Sequence, residues 1–416
     1  MKILLFSLNY APEVTGIGKY SAEFAEWLAD HGHEVRVITA SPYYPHWVVS
    51  SGYRASRYKT EEINGVRVTR VPFWCPRRVS GIKRLLHLAS FAVGALPAAL
   101  AHVRWSPDVV WVVEPPLFAA PIALLAAKLS GASSYLHIQD YELDAAFELG
   151  MLKGNILRRS GLRVEKWLMS RFDKVSAISG KMVERALTKG VPDERSILFP
   201  NWVNTSEIFP IFTPSTYRSE LDIESSATVV LYSGNMGSKQ GLELLPDVAR
   251  KLGDRRDLLF VFCGNGPAKR PLEEACGELL NVRFIDLQPN ERFNEMLALA
   301  DIHILPQRSD ASDLVMPSKL LGILASGRPV VATARPNTEL WQTVHPRGIV
   351  VDPGSVDDLC AGIMKLANDR GLRKKLGEAG RAYAISEMSK DAVLTRYERV
   401  LTDTVPHNRQ TRTTFF

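Results

Sequence analysis

Glycine, lysine and serine recur where apolar runs in the second half of the chain give way to helical segments. The three segments are YSGNMGSKQGLE, FCGNGP and LVMPSK. Glycine lets backbone N–H groups approach a ligand closely, and the start of a helix carries a partial positive charge. Lysines at such positions indicate an anion between them. The pattern predicts a diphosphate site formed by Gly234, Asn235, Lys239, Gly264, Gly266, Ser318, Lys319 and Leu320.

A glycine pair also opens the first helical segment, in TGIGKYS. Gly16 and Gly18 follow the first apolar run, but Ser21 replaces the third glycine of a dinucleotide fingerprint. The second strand ends in Thr39, where that fingerprint needs an acidic residue to hold the ribose. A nicotinamide cofactor is therefore excluded, and the loop is predicted to approach a phosphate or a sugar.

The segment YLHIQDYELD places polar residues at the end of another predicted strand. His137 is predicted to be catalytic because ligands of parallel α/β sheets bind at the carboxyl ends of the strands. Asp140 follows it as a substrate-binding candidate, whereas Glu142 and Asp144 could equally be solvated surface residues.

No metal-binding pattern occurs in the sequence. There is no Asp-x-Asp, and no group of His, Cys or carboxylate residues has the spacing of metal ligands. The four cysteines are far apart, which fits a reducing compartment. We therefore expect no cofactor and no metal, with lysines and helix ends neutralising the diphosphate.

The charge is distributed unevenly along the 416 residues. Residues 1–200 hold 25 Lys and Arg against 18 Asp and Glu, a net of +7, and the remainder hold 26 against 27, a net of −1. Such asymmetry is typical of a half that faces nucleic acid or phospholipid, although a solvated face is an alternative.

Apolar runs alternate with amphipathic segments, which predicts βαβ units around parallel sheets. The pattern restarts after FPNWVNTSEIFP, so two doubly wound domains of the α/β class are expected, with a central cleft. The predicted domains are 1–205 and 206–390, followed by a helix and polar tail in 391–416. The start, MKILLFSLNY, is interpreted as a first strand because it lacks the cleavage site of a signal peptide.

Residues 77–105 are basic at their front and apolar afterwards. Three interpretations stay open: a membrane-spanning helix, a packed helical hairpin and an interfacial anchor flanked by Arg77, Lys83 and Arg84.

In combination, NYAPEVTGIGKYSAEFAEWLADHGHEVRVITASPYYP, HIQDYELDA, FPNWVN, LYSGNMGSKQGLE and LVMPSKLLGILASGRPVVAT resemble retaining glycosyltransferases of family 4. That resemblance implies the GT-B fold, with two Rossmann-like domains facing a central cleft. It also implies a nucleotide-sugar donor bound mainly by the second domain, with a GDP- or UDP-linked sugar, and no divalent metal.

The resemblance also assigns roles to positions. His137 matches a histidine near the donor sugar, Lys239 and Lys319 match diphosphate contacts, and Glu339 is a further donor-binding candidate. Two family glutamates are missing, because their positions hold Leu314 and Gly322. Asp313 is the expected substitute.

The implied activity is transfer of a hexose or deoxyhexose in bacterial exopolysaccharide biosynthesis. The expected acceptor is a saccharide linked to polyprenyl diphosphate. Such an acceptor favours the interfacial-anchor interpretation of residues 77–105 and a peripheral location on the cytoplasmic side of the inner membrane. It also favours phospholipid over nucleic acid as the anionic partner. A sugar-nucleotide epimerase of the same fold and a non-catalytic scaffold of an assembly complex are the alternatives.

Overall fold

The computed structural model describes residues 1–14, 16–77, 80–144, 155–237, 240–308 and 317–404. The chain divides into two compact units: residues 1–200 with the chain from Leu394 onward, and residues 201–393. The division therefore falls at 200 where the sequence suggested 205, and most of the last helix is part of the first unit.

The first unit contains an eight-stranded sheet in the order β3-β4-β2-β1-β5-β6-β7-β8, parallel except for the β3–β4 pair. Its central strands are almost entirely buried, as apolar runs covered by helices on both faces require. The strands are β1 (Lys2–Phe6), β2 (Glu34–Thr39), β3 (Lys59–Ile63), β4 (Val66–Arg70), β5 (Val109–Glu114), β6 (Ser133–Ile138), β7 (Lys174–Ala177) and β8 (Ser196–Leu198).

Helices connect the parallel strands of the first unit. The first, α1, buries Phe24 and Leu28 against the sheet and ends before Gly32, which adopts a positive φ of 82°. The helices are α1 (Gly16–Asp30), α2 (Gly81–Val103), α3 (Ala120–Ser130), α4 (Asn155–Met169) and α5 (Gly180–Thr188).

The apolar segment at 77–105 forms a single helix of 23 residues, α2, so the hairpin interpretation is wrong. One face packs into the first unit around Phe91, and a Cβ at Gly94 would lie 1.9 Å from the Pro72 carbonyl oxygen. By length and composition the helix could cross a membrane, but half of its most apolar stretch is buried inside the protein.

The second unit has a parallel six-stranded sheet in the order β11-β10-β9-β12-β13-β14. Its strands are β9 (Thr228–Ser233), β10 (Leu258–Cys263), β11 (Val282–Ile285), β12 (Ile302–Leu305), β13 (Val330–Thr333) and β14 (Ile349–Val351). Its helices are α6 (Tyr217–Glu220), α7 (Leu245–Lys251), α8 (Lys269–Cys276), α9 (Phe293–Ala298), α10 (Ser318–Ala325), α11 (Glu339–Val344), α12 (Val356–Asn368) and α13 (Arg370–Glu387).

The last helix, α14 (Lys390–Thr404), packs on the first unit through Tyr397. The Tyr397 ring stacks on Phe199 with 3.7 Å between centroids, and its hydroxyl accepts a hydrogen bond from Trp111 Nε1 at 3.1 Å. The Glu398 carboxylate contacts His33 Nε2 at 2.9 Å. The end of the chain is thus part of the core that the first 200 residues form.

Candidate functional site

Three glycines at the ends of β9 and β10 bring the two predicted turns into direct backbone contact. Gly234, Gly264 and Gly266 have φ values of 120°, 151° and 149°, which side chains disfavour. A Cβ at Gly264 would lie 2.0 Å from the Gly234 carbonyl oxygen, and one at Gly266 would lie 2.5 Å from the Met236 carbonyl oxygen. The turns therefore form one rigid backbone surface at the carboxyl edge of the sheet.

Lys319 extends from the first turn of α10 to this surface. A Cβ at Gly234 would lie 2.6 Å from Lys319 Cε, so the lysine occupies the space that the glycine leaves. Its ammonium group donates to the Tyr232 hydroxyl, to the Asn235 carbonyl at 3.0 Å and to Gln240 Oε1 at 3.2 Å. The structure thus places a cation beside two of the glycine-rich turns.

All three of these acceptors are neutral. No carboxylate of the described residues forms an ion pair with Lys319. Burial lowers the pKa of Lys319 to about 7, because a desolvated ammonium group without an anion favours its neutral form. An anionic ligand beside Nζ would supply the missing charge and restore the proton.

The other predicted binding residues of the second unit, Asn235, Ser318 and Glu339, differ in their surroundings. The backbone carbonyl of Asn235 accepts a hydrogen bond from Lys319 Nζ. Its side-chain Oδ1 accepts one from Lys269 Nζ at 3.2 Å, so the side chain contacts the start of α8. Ser318 is exposed at the start of α10. Glu339, at the start of α11, is half-buried and has an interaction partner.

Leu320 has a different role from the predicted one. Its side chain is buried in the core of the second unit, and its backbone N–H donates to the Pro317 carbonyl at 3.0 Å. The expectation of a phosphate contact at Leu320 is corrected accordingly, because both its side chain and its N–H are already engaged.

Of the two positions where the family has glutamates, the structure describes Gly322 but not Leu314. The predicted site residues Lys239 and Asp313 also lie outside the described residues. Gly322 is buried in α10, where a Cβ would lie 3.4 Å from Leu297 Cδ1 and 3.6 Å from the Phe293 ring. The Cβ of an acidic side chain here would contact apolar groups, which explains why this helix has no acid at that position.

In the first unit, Glu13 packs directly beside Gly18 of the predicted glycine loop. Gly16 begins α1 with a φ of 57°, and a Cβ at Gly18 would lie 3.0 Å from Glu13 Cβ. The buried Glu13 carboxylate accepts from Asn9 Nδ2 and from the backbone N–H groups of residues 43 and 44, at 2.8–2.9 Å. Sequence reasoning missed Glu13, and the approach of a phosphate or sugar to Gly16 and Gly18 stays a prediction.

His137 is buried near the end of β6, and its catalytic role stays a prediction. Its ring is fully buried in β6, stacked 5.0 Å from Trp111. Gln139 Nε2 donates to Nε2 at 2.9 Å, and Nδ1 donates to Ser176 Oγ at 2.9 Å, which makes the ring neutral. Burial lowers the pKa to about 3. Asp140 follows, exposed and with an interaction partner.

A buried acidic cluster lies near the carboxyl ends of β5 and β6. It consists of Glu114, Glu142, Asp144 and Glu165, all less than a tenth exposed, with Lys189 as their buried cation. Lys189 Nζ contacts Glu165 and lies 2.9 Å from Asp144 Oδ2. Glu142 and Asp144 are therefore buried, and the solvated interpretation is wrong.

Burial dominates the electrostatics of this acidic cluster. It raises the pKa of Glu142 to about 7, although the Leu117 N–H, which donates to its carboxylate at 2.7 Å, works in the opposite direction. Burial also raises the pKa of Glu114 well above its usual value, and the negative charge of Glu165 adds to the rise. At neutral pH the cluster therefore holds protons on some of its carboxyl groups.

The fold and the comparisons together define the class of protein. Residues 15–202 match the family described as "Glycosyl transferase 4-like domain", and residues 215–383 match "Glycosyl transferases group 1". The chain belongs to this family of glycosyltransferases, and both the GT-B fold and the family expected from the sequence are confirmed.

A relative of known name matches over nearly the whole chain. The colanic acid biosynthesis glycosyl transferase WcaI of Escherichia coli is 42% identical over 407 residues, covering 95% of this chain and 98% of its own. Among solved structures, sucrose-phosphate synthase of Thermosynechococcus elongatus has a TM-score of 0.73 at 18% identity, with 97% and 98% coverage. HepE of Anabaena, in complex with UDP and glucose, has a TM-score of 0.67 at 15% identity, with 97% and 100% coverage.

Proposed function

We propose that the protein transfers a hexose or deoxyhexose from a nucleotide-diphosphate sugar to a saccharide acceptor of bacterial exopolysaccharide synthesis, with retention at the anomeric carbon. The observation that carries the proposal is Lys319, a cation whose hydrogen-bond partners among the described residues are all neutral, held against the turns at Gly234 and Gly264. The similarity to the colanic acid enzyme supports the exopolysaccharide context.

The chemistry required of the second unit is stabilisation of a leaving group. Cleavage of the bond between the sugar and the diphosphate builds negative charge on the diphosphate oxygen. A protonated Lys319 at that oxygen, together with the first N–H groups of α10, interacts more strongly with this transition state than with the donor. We infer that these groups suffice without a divalent cation. Full activity after treatment with EDTA is the expected result, and NMR of the new glycosidic linkage tests retention.

Donor binding is expected to be linked to protonation of Lys319. The pKa of Lys319 is about 7 without an anion, and a bound diphosphate raises it. Affinity is therefore greatest below pH 7 and falls, by up to about tenfold per unit, as the pH rises above 7. Calorimetry at pH 8 in buffers of different ionisation enthalpy should show uptake of about one proton per donor bound. In Lys319→Arg the charge is permanent, so the uptake should vanish.

A panel of sugar nucleotides identifies the donor and tests the alternatives. At about 100 times its dissociation constant, the true donor stabilises the folded protein by about 2.7 kcal/mol, which thermal unfolding with GDP-, UDP-, ADP- and dTDP-sugars would reveal. Nucleotide release that requires acceptor excludes an epimerase. Slow hydrolysis of the donor by the isolated protein excludes a non-catalytic scaffold.

The proposed acceptor is a saccharide linked to a polyprenyl diphosphate, and the first unit offers a surface suited to the membrane that holds it. Exposed apolar side chains follow one face of α2, since their spacings of four and seven residues repeat the helical period. The neighbouring α3 region adds three more. The exposed residues are Ile82, Leu86, Val93, Leu100, Phe118, Leu125 and Leu129.

We expect this apolar face to bind anionic liposomes. Lys83 lies beside it and the first 200 residues carry a net charge of +7, so phosphatidylglycerol vesicles should retain the protein and phosphatidylcholine vesicles should not. The fraction of protein recovered with the vesicles should fall as the salt concentration rises from about 0.05 to about 0.5 M, because the Debye length shortens from roughly 14 to 4 Å. Val93→Glu should weaken binding, while Arg270→Glu on the second unit serves as control. Equal recovery on both vesicles would contradict a peripheral location at the inner membrane.

A further inference from the structure

Three segments at the carboxyl edge of the first sheet are tied together by two buried residues, His87 of α2 and Glu13. His87 Nδ1 donates to the Trp74 carbonyl at 2.6 Å, and Nε2 accepts from the Tyr43 hydroxyl at 2.9 Å. Glu13 holds the same tyrosine loop through the backbone N–H groups of Tyr43 and Tyr44. The segments that follow β1, β2 and β4 therefore meet in a fixed arrangement at the start of α2.

Arg84 stands beside this arrangement in the first turn of α2. Its side chain is half-buried, and within the described ranges its guanidinium makes no hydrogen bond or ion pair. Its charge acts on Tyr43, His87 and Glu142. A partly desolvated guanidinium of this kind is suited to the bidentate binding of a phosphate.

Two kinds of exposed side chain occur in the segments around Arg84. Tyr44 and Trp74 are exposed although they belong to the bonded segments, and aromatic rings with polar edges suit contact with a sugar. Ile82 and Leu86, each two residues from Arg84 along α2, begin the apolar face of that helix. A ligand that spans this surface would carry a saccharide, an anionic group and a hydrocarbon chain in that order.

We propose that Arg84 binds the phosphate groups of the lipid-linked acceptor, with the saccharide toward Tyr44 and Trp74 and the lipid along the face that begins at Ile82. This inference rests on the proposed glycosyl transfer and specifies the acceptor side of it. Arg84 is a binding residue in this scheme: it positions the acceptor and takes no part in breaking the bond to the donor.

Farnesyl diphosphate is a suitable probe, since it has the diphosphate and a short prenyl chain. Binding is measured by calorimetry with a saturating nucleoside diphosphate, which occupies the donor side. Arg84→Gln should weaken the affinity about tenfold or more, the effect of losing a charge-assisted contact. Arg104→Gln is the matched control, because Arg104 is exposed at the opposite end of the same helix, roughly 30 Å away. It should stay within about twofold of the unchanged protein.

Two further probes separate the possible sources of binding. Farnesol should bind at least about tenfold more weakly than farnesyl diphosphate, and inorganic diphosphate should bind more weakly as well, since the proposal needs both parts of the ligand. Equal affinity of Arg84→Gln and the unchanged protein, or equal affinity for farnesol, would overturn the proposal.

Donor binding separates a failure of the acceptor assignment from a failure of the proposed function. The Arg84→Gln variant should bind the sugar nucleotide as tightly as the unchanged protein does, because Lys319 is untouched. If no sugar nucleotide binds either protein, the proposed glycosyl transfer fails, whereas intact donor binding with unchanged farnesyl diphosphate affinity refutes only the acceptor assignment.

Discussion

Replacing Lys319 with alanine is expected to lower the turnover number at least about a hundredfold, while the protein stays folded. Loss of one preorganised donor to a developing anion typically costs about 10²–10³ in rate. Lys319 is held by Tyr232, Asn235 and Gln240 in a position that the glycine turns leave open, so no neighbouring cation of the described chain can replace it without moving. Turnover is measured with saturating donor and acceptor.

Lys251→Ala is the matched control for this variant. Lys251 is an exposed lysine of the same unit, paired with Asp357, and its loss should change turnover by less than about twofold. Near-normal turnover of Lys319→Ala, with control and variant equally stable to heat, would contradict the role assigned to this lysine.

Replacing Lys189 with methionine is expected to remove about 3–5 kcal/mol from the free energy of unfolding at pH 8, the cost of leaving buried charges without their partner. Lys189 contacts Glu165 and Asp144, both almost fully buried, and methionine keeps the length of the side chain but not its charge. Arg185 still pairs with Asp144 at 3.1 Å, so Glu165 is the carboxylate that loses its cation. Urea unfolding followed by tryptophan fluorescence provides the measurement.

The sign of the pH dependence makes this second prediction specific. Burial raises the pKa of Glu165 in the folded protein, and removing Lys189 raises it further. The Glu165 carboxyl group, left without its ion pair, takes up a proton as the pH falls, so the loss of stability should be smaller at pH 5.5 than at pH 8. Lys181→Met, at a half-buried position of α5, the helix that Lys189 follows, should cost less than about 1 kcal/mol at either pH. An equal loss at both pH values would argue against uncompensated carboxylates as the cause.

The strands were the most predictable part of the fold. Runs such as VVWVVE and TVVLYS are apolar without alternation, because both faces of a parallel sheet are covered, and these two form β5 and β9. The β3–β4 hairpin was missed because its strands are half polar. Asn64 and Gly65, with φ values of 47° and 76°, form its turn and were a usable signal.

The glycine-rich turns of the second unit could be predicted from the sequence better than the buried side-chain clusters of the first unit, for a physical reason. Backbone turns that approach a phosphate leave local evidence, since glycines and a lysine must follow each strand directly. Side-chain clusters leave none: Glu114, Asp144 and Lys189 are far apart in sequence and meet only through the order of the strands. A strand-end position such as that of His137 likewise does not tell which face of the sheet its ring joins.

The docking of α14 has a practical consequence for anyone who cuts or recombines this enzyme. A fragment that stops at Pro200 would lose the ring of Tyr397 from its own core and expose Phe199 and Trp111 to water. Hybrids made from two related transferases should therefore exchange residues 394–404 together with the amino-terminal half, as one discontinuous module.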